Sequence, residues 1–173
     1  MKVFGFGIVC FISICTLAQS PEGVTPQEAG QQLVKRLGGT LKEKLSTDGP
    51  IAAIAFCSEQ AQALTVETAA NSGYALSRVT DRPRNVANRA NESEMKLIQV
   101  VQADLAAGQI KPSYSMGEVT YLPLVTKPLC LNCHGAQLIP ELEARIRELY
   151  PEDQATGYKV DQLRGLVKVA PAE

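Results

Sequence analysis

The sequence predicts a single α+β domain. Apolar residues recur at helical spacing behind clear N-caps, short alternating stretches lie between those helices, and no repeat or low-complexity linker divides the chain. The length of 173 residues fits one domain, and a hydrophobic fraction of 45% is enough for an ordinary core.

The first eighteen residues stand apart from that domain. Lys2 precedes an apolar run over residues 3–18, which ends in Thr16-Leu17-Ala18 and gives way to polar Gln19-Ser20-Pro21-Glu22. A single positive charge, an apolar centre and a small-residue exit describe a secretory signal peptide. Residues 1–18 are therefore assigned to export, to the periplasm or another exported location, and 19–173 to the mature domain. An uncleaved anchor is the alternative, although the run is short for a span of about 20 residues. A lipoprotein signal fits less well, because Ile14 precedes Cys15 where a small residue is expected. No stable membrane insertion is expected after cleavage. Cleavage removes Cys10 and Cys15 and leaves Cys57, Cys130 and Cys133, an odd set that needs a reason in an exported protein.

Thr25-Pro26-Gln27-Glu28 opens the first helix with an N-cap, a proline in the first turn and a capping-box glutamate. Leu33, Leu37, Leu41 and Leu45 follow on one face, with Gly38-Gly39 weakening its middle by about 1 kcal/mol each. Asp48-Gly49-Pro50 stops it and starts a second helix through Ile51, Ile54, Ala61 and Leu64 to Gly73. Residues 74–79 alternate as a strand, and 80–91 read as an ordered polar loop around Pro83. Asn91 and Glu94 open a third helix, with Leu97, Ile98, Val101 and Leu105 inward and Gly108 at its end. Residues 116–124 read as one strand, 140–150 as a charged amphipathic helix and 165–169 as a closing strand.

Composition removes several functions. A net charge of −1 with no basic block argues against nucleic acid as a partner. With no Trp, 4 Phe and 5 Tyr, the chain lacks stacking platforms for single strands. One His excludes any site that needs two imidazoles.

The chemistry concentrates at Cys130-Leu131-Asn132-Cys133-His134. C-x-x-C-H is the attachment signature of c-type haem. Two thiols add across the porphyrin vinyl groups, and the next residue is held beneath the iron as proximal ligand. The export signal, the adjacency of the lone His, and flanking Pro128 and Gly135 agree with that reading. A disulfide or redox dithiol is an alternative, as is half of a zinc site completed by Cys57 and His134. Opposite His134, the candidates are Met95, Met116, Cys57, a Lys, a Tyr or open coordination, and spacing alone does not choose among them.

The segment Ile54-Ala55-Phe56-Cys57-Ser58-Glu59-Gln60-Ala61 resembles one found in a family of exported c-type haem domains with a PAS-like fold. That family, long catalogued as a domain of unknown function, occurs as stand-alone cyanobacterial proteins and as sensory modules of bacterial signalling proteins. The likeness continues through Gly73, Arg78-Val79-Thr80, Arg84-Asn85, Asn88, Glu94, residues 121–124, Cys130 to Gly135, Tyr150-Pro151, Asp153, Ala155, Gly157-Tyr158 and Arg164-Gly165. One departure is that the family's Arg-Asn-Pro-x-Asn reads Arg84-Asn85-Val86-Ala87-Asn88 here. The resemblance implies N-terminal helices and a small antiparallel sheet enclosing one covalently attached haem c, held by thioethers from Cys130 and Cys133. It implies His134 and Cys57 as axial ligands, which accounts for the third cysteine. A thiolate ligand would stabilise ferric iron and lower the reduction potential relative to His/Met ligation. Arg78 and Arg84, at family positions, are candidates for the haem propionates, with Arg82 and Arg89 behind them and a solvated basic loop as the alternative for each. Tyr121 and Tyr158 are candidates for the pocket wall, with a place in the core as the alternative.

Two functions follow from the resemblance. One is periplasmic, low-potential electron transfer with a redox partner protein. The other is a redox or diatomic-gas sensing input that acts through a separate signalling partner when Cys57 is displaced. An enzymatic role is not expected, because the site has no distal His and no open coordination position.

Overall fold

The computed structural model describes residues 23–172. The signal-peptide assignment of 1–18 lies outside the described residues. Among the described residues, no helix is long and apolar enough to cross a membrane.

Helix α1 spans Pro26–Thr47 and starts where its capping box predicts. Thr25 Oγ1 accepts from the Glu28 N–H at 3.2 Å, and Glu28 Oε2 accepts from the Thr25 N–H at 2.8 Å. Gly38 and Gly39 do not break it, and a methyl group at either would meet nothing within 4 Å. After Asp48 the chain turns into α2, Gly49–Ser72, which packs along α1. Gly73 closes α2 and delivers the chain to β1, Tyr74–Val79.

A short 3-10 turn at Val86–Asn88 lies within the polar loop. Asn85 Oδ1 caps it by accepting from the Ala87 N–H at 3.0 Å. The loop is tied to the sheet end by Thr80 N–H to Asn88 O at 2.9 Å and Ala90 N–H to Thr80 O at 3.0 Å. The Val86 departure therefore leaves an ordered loop. Helix α3, Glu92–Ala106, opens on the Asn91/Glu94 capping box.

The strand expected over 116–124 is two strands: β2, Tyr114–Met116, and β3, Val119–Val125. Met116 pairs with Val119 across the two-residue loop Gly117-Glu118. Gly117 has φ 61, and such a first loop residue is what a tight hairpin of this length requires. The rest of the chain forms a 3-10 turn at Pro128–Cys130, α4 at Leu131–His134, α5 at Pro140–Leu149 and β4 at Leu163–Pro171. The closing strand thus begins before and ends after the predicted 165–169.

The strands form an antiparallel sheet in the order β1-β4-β3-β2. Adjacent residues in a strand face opposite sides. Tyr121 and Leu166 join Ile98 and Val101 of α3, whereas Leu122 and Val167 join Ala29 and Leu33 of α1. The sheet is thus sandwiched between α3 and the α1–α2 pair. A third cluster, built from Ile54, Cys133, Leu142 and Ile146, sits where α2 meets α5 and α4. It brings the motif and the second helix together.

Candidate functional site

The CxxCH segment begins where β3 runs out. Thr126 is fully buried and donates its N–H to Gln162 O at 2.8 Å, which fixes the exit from the sheet. The chain then winds through the 3-10 turn into α4. Gly135 ends that helix by donating its N–H to Leu131 O at 3.0 Å. A Cβ at Gly135 would lie 2.6 Å from the same carbonyl, so only glycine fits this close return.

A second segment, residues 150–158, holds the first. His134 O accepts from the Tyr158 N–H at 2.8 Å, and Gly135 O accepts from the Gly157 N–H at 3.0 Å. The imidazole lies with Nδ1 2.6 Å from Ala155 O. A carbonyl has no proton to give, so Nδ1 carries the hydrogen and the lone pair sits on Nε2. Burial, with Arg164 and Arg84 nearby, drives the ring's pKa down to about 3, so the imidazole is neutral at physiological pH. A neutral ring with Nδ1–H bonded to a backbone carbonyl is the form that ligates metals through Nε2.

Cys57 comes from α2 and packs against the cluster that contains Cys133. Cys57, Cys130 and Cys133 are free thiols. Burial pushes the Cys57 thiol up, opposed by the charges of Arg78 and Arg84. Among the described residues, no three His, Cys, Asp or Glu side chains gather as a metal-holding group. An axial pair needs only two.

Arg84 does something the sequence did not suggest. A candidate for a cofactor carboxylate, it also forms a two-pronged bond with Asp153, Nε to Oδ1 and Nη2 to Oδ2, both at 3.1 Å. Both side chains are 8% exposed. Its Nη2 also donates to Cys133 O at 2.7 Å, and only Nη1 is left buried without a partner. Arg78 stays with Cys57, and its Nε is likewise buried and unpartnered. Arg82 is taken up by loop carbonyls, donating to Gln154 O at 3.1 Å and to Thr156 O, and lies 4.3 Å from the centre of the Tyr158 ring. Arg89 is exposed.

Tyr121 takes the second of its two expected places, the core. It lies 1% exposed in the core beneath α3, its hydroxyl donating to Glu94 Oε1 at 3.3 Å, apart from the cysteine cluster. Burial and the Glu94 charge push its phenol up to about 12. Met116 packs at the edge of the same core, and Met95 is on α3. Neither joins the motif. Tyr158 does, edge-on to His134 with ring centres 6.2 Å apart.

The residue that sequence reasoning missed is Arg164. Its Nη1 donates to Thr80 Oγ1 at 3.2 Å and to Arg82 O at 3.3 Å, its Nε is buried without a partner, and burial lowers its pKa. Its signal in the sequence is its place in the family likeness, as Arg164-Gly165, which names the position without giving it a role.

A haem brings two carboxylates, two vinyl groups and an iron with two axial positions, and side chains of the types that could serve each are present. Arg78 Nε, Arg84 Nη1, Arg164 Nε and the Tyr158 hydroxyl are buried polar atoms with no partner in the protein. A buried polar group in that state costs about 1–3 kcal/mol, which an incoming carboxylate would recover. Two adjacent free thiols and an imidazole with a free Nε2 complete the set.

The fold and site together define an α+β domain in which a CxxCH turn, its imidazole and a third thiol meet at one end of a small sheet. The chain belongs to the Tll0287-like family, whose family model matches residues 18–171. It is similar in fold to a solved structure described as the cyanobacterial heme-protein Tll0287. That likeness has a TM-score of 0.62 at 20% identity, covering 85% of this chain and 96% of the other. No curated protein matches this chain.

Proposed function

We propose that this chain is an exported mono-haem c-type protein that transfers electrons at low potential. Cys130 and Cys133 would carry the haem, and His134 and Cys57 would be its axial ligands. Bound haem supplies a one-electron iron couple. The protein's part is to hold the imidazole and the thiol in place and to shield them from water.

The observation that carries this reading is the set of unpartnered donors on Arg84, Arg164 and Tyr158 beside the CxxCH turn and on Arg78 beside Cys57. Asp153 is already engaged by Arg84, so these donors call for an anion from outside the chain. The haem-protein description of the cyanobacterial relative lends support. Export rests on residues 1–18, and the partner would be a redox protein.

Expression with a c-type maturation system tests the proposal. Mass spectrometry under denaturing conditions should find one haem mass retained on the chain. A product without it, or one with Cys130 and Cys133 joined to each other, refutes the reading.

The position of Cys57 within α2 favours a second reading as a sensory input. Loss of that ligand would free a helix that also packs on α1, α5 and β1. Rapid carbon monoxide binding by the reduced protein would favour sensing, and persistent six-coordination would favour electron transfer.

A further inference from the structure

We propose that Asp153 is the positioning residue for His134: through Ala155 and Arg84 it fixes the imidazole with Nδ1 protonated and Nε2 presented as the ligand. The inference rests on the haem reading.

Asp153 does not touch the ring. Its Oδ1 accepts the Ala155 N–H at 2.9 Å, and the Ala155 carbonyl accepts from His134 Nδ1 at 2.6 Å. The same carboxylate holds Arg84, whose Nη2 reaches back to Cys133 O. One acid therefore pins both sides of the imidazole, the loop it donates to and the backbone of the residue before it. Arg84 Nη2 also donates to Ala155 O at 3.4 Å, the acceptor that His134 uses, but its shorter bonds to Asp153 Oδ2 and Cys133 O keep that donation long. Without Asp153, that long donation is free to tighten at the expense of the ring's own bond to the carbonyl. The segment has further ties, Asp153 N–H to Tyr150 O at 3.0 Å and Gln154 N–H to Pro83 O at 2.9 Å, so losing the carboxylate loosens the orientation of Ala155 while the loop stays attached.

A salt bridge serving only stability would leave the ring's tautomer alone, and that separates the two roles. In the full chain expressed without haem, ¹⁵N shifts of the His134 ring should report the proton on Nδ1. Asp153→Ala should shift the tautomer ratio toward Nε2–H by about tenfold, as loss of one hydrogen bond of ordinary strength implies. Asp153→Asn keeps an acceptor for Ala155 but loses the charge-assisted fork, so its shift should be smaller, about threefold. In the haem-loaded protein both variants remove the same charge. A purely electrostatic Asp153 would then raise the midpoint potential equally in the two, whereas a positioning Asp153 gives a larger rise in Asp153→Ala.

Wild-type ring shifts in Asp153→Ala, or equal potentials in the two variants, overturn the inference. Should Asp153→Ala fail to accumulate, unchanged ring shifts in Asp153→Asn overturn it alone. A wild-type chain without haem mass would sink the haem reading, while the ring shifts would still decide the role of Asp153.

Discussion

Replacing Arg78 with methionine should change stability in opposite directions with and without haem. Arg78 leaves β1 half-buried beside Cys57, and its Nε is buried with no acceptor. Burial is the main reason its guanidinium is pushed below the ordinary arginine range, with Cys57 and Tyr150 acting the other way. An unmatched buried donor costs about 1–3 kcal/mol, more when charged. Methionine keeps the apolar stem without the charge. The haem-free Arg78→Met chain should therefore gain about 1–2 kcal/mol, with about 2–4 °C in melting temperature for each kcal/mol in a protein of this size. With a propionate in reach, the same substitution removes a charge-assisted hydrogen bond worth about 1.5–3 kcal/mol, and the sign reverses. Urea titration of both forms measures this as a shift in midpoint at constant slope. Shifts of the same sign in the two forms would refute the reasoning, because Arg78 would then be a structural residue with no carboxylate to meet.

Three further outcomes are expected. Val86→Pro should stabilise the chain by about 0.4–1 kcal/mol in thermal or urea melts, since Val86 opens the 3-10 turn and Asn85, at φ −89 and ψ 123, already has the backbone that precedes proline. Glu94 is 3% exposed. Burial works to raise its carboxyl, but hydrogen bonds from Lys168 and the Asn91 N–H outweigh it and hold the pKa below the ordinary 4.5. Its contribution is therefore complete above about pH 4.5 and lost as pH falls through the lower folded value. Glu94→Gln should be less stable at pH 7 by about 1–3 kcal/mol, with the gap closing in acid; a gap independent of pH in urea titrations would refute the assignment. Cys57→Ala should retain covalent haem, change the ferric spectrum and raise the midpoint potential. An unaltered spectrum removes Cys57 from the ligand set.

Where a signal is local, the sequence reads well. Both capping boxes, Thr25 with Glu28 and Asn91 with Glu94, start helices where they predict, because each is complete within four residues. The hairpin at Gly117 is marked in the sequence only by a change of phase, apolar at Tyr114 and Met116 and then at Val119 and Tyr121, which is easily missed in strands this short. Tyr121 sits at a family position near the motif in sequence, yet strand alternation turns it toward α3. Arg164, Asp153 and Ala155 stand at positions of the family likeness, but what they do depends on contacts with residues up to 84 positions away, which no local pattern shows. Arg84 was found for its charge but not for its partner. Sequence identifies a cation, whereas the fold decides which anion it meets.

The two axial candidates are held by different means, and that difference bears on function. His134 is fixed on three sides: Nδ1 to Ala155 O, its own carbonyl to the Tyr158 N–H, and the preceding carbonyl to Arg84. Cys57 stands on a single helix and rests on the packing of Ile54, Cys133, Leu142 and Ile146. Oriented hydrogen bonds resist small displacements, while apolar contacts allow a side chain to withdraw at little cost in direction. If either ligand leaves the iron, it is therefore Cys57, and His134 stays. A protein built only for electron transfer would gain by fixing both ligands equally, since reorganisation slows exchange. The one-sided anchoring is the observation behind the second, sensory reading, and the carbon monoxide experiment is the measurement that weighs it against electron transfer.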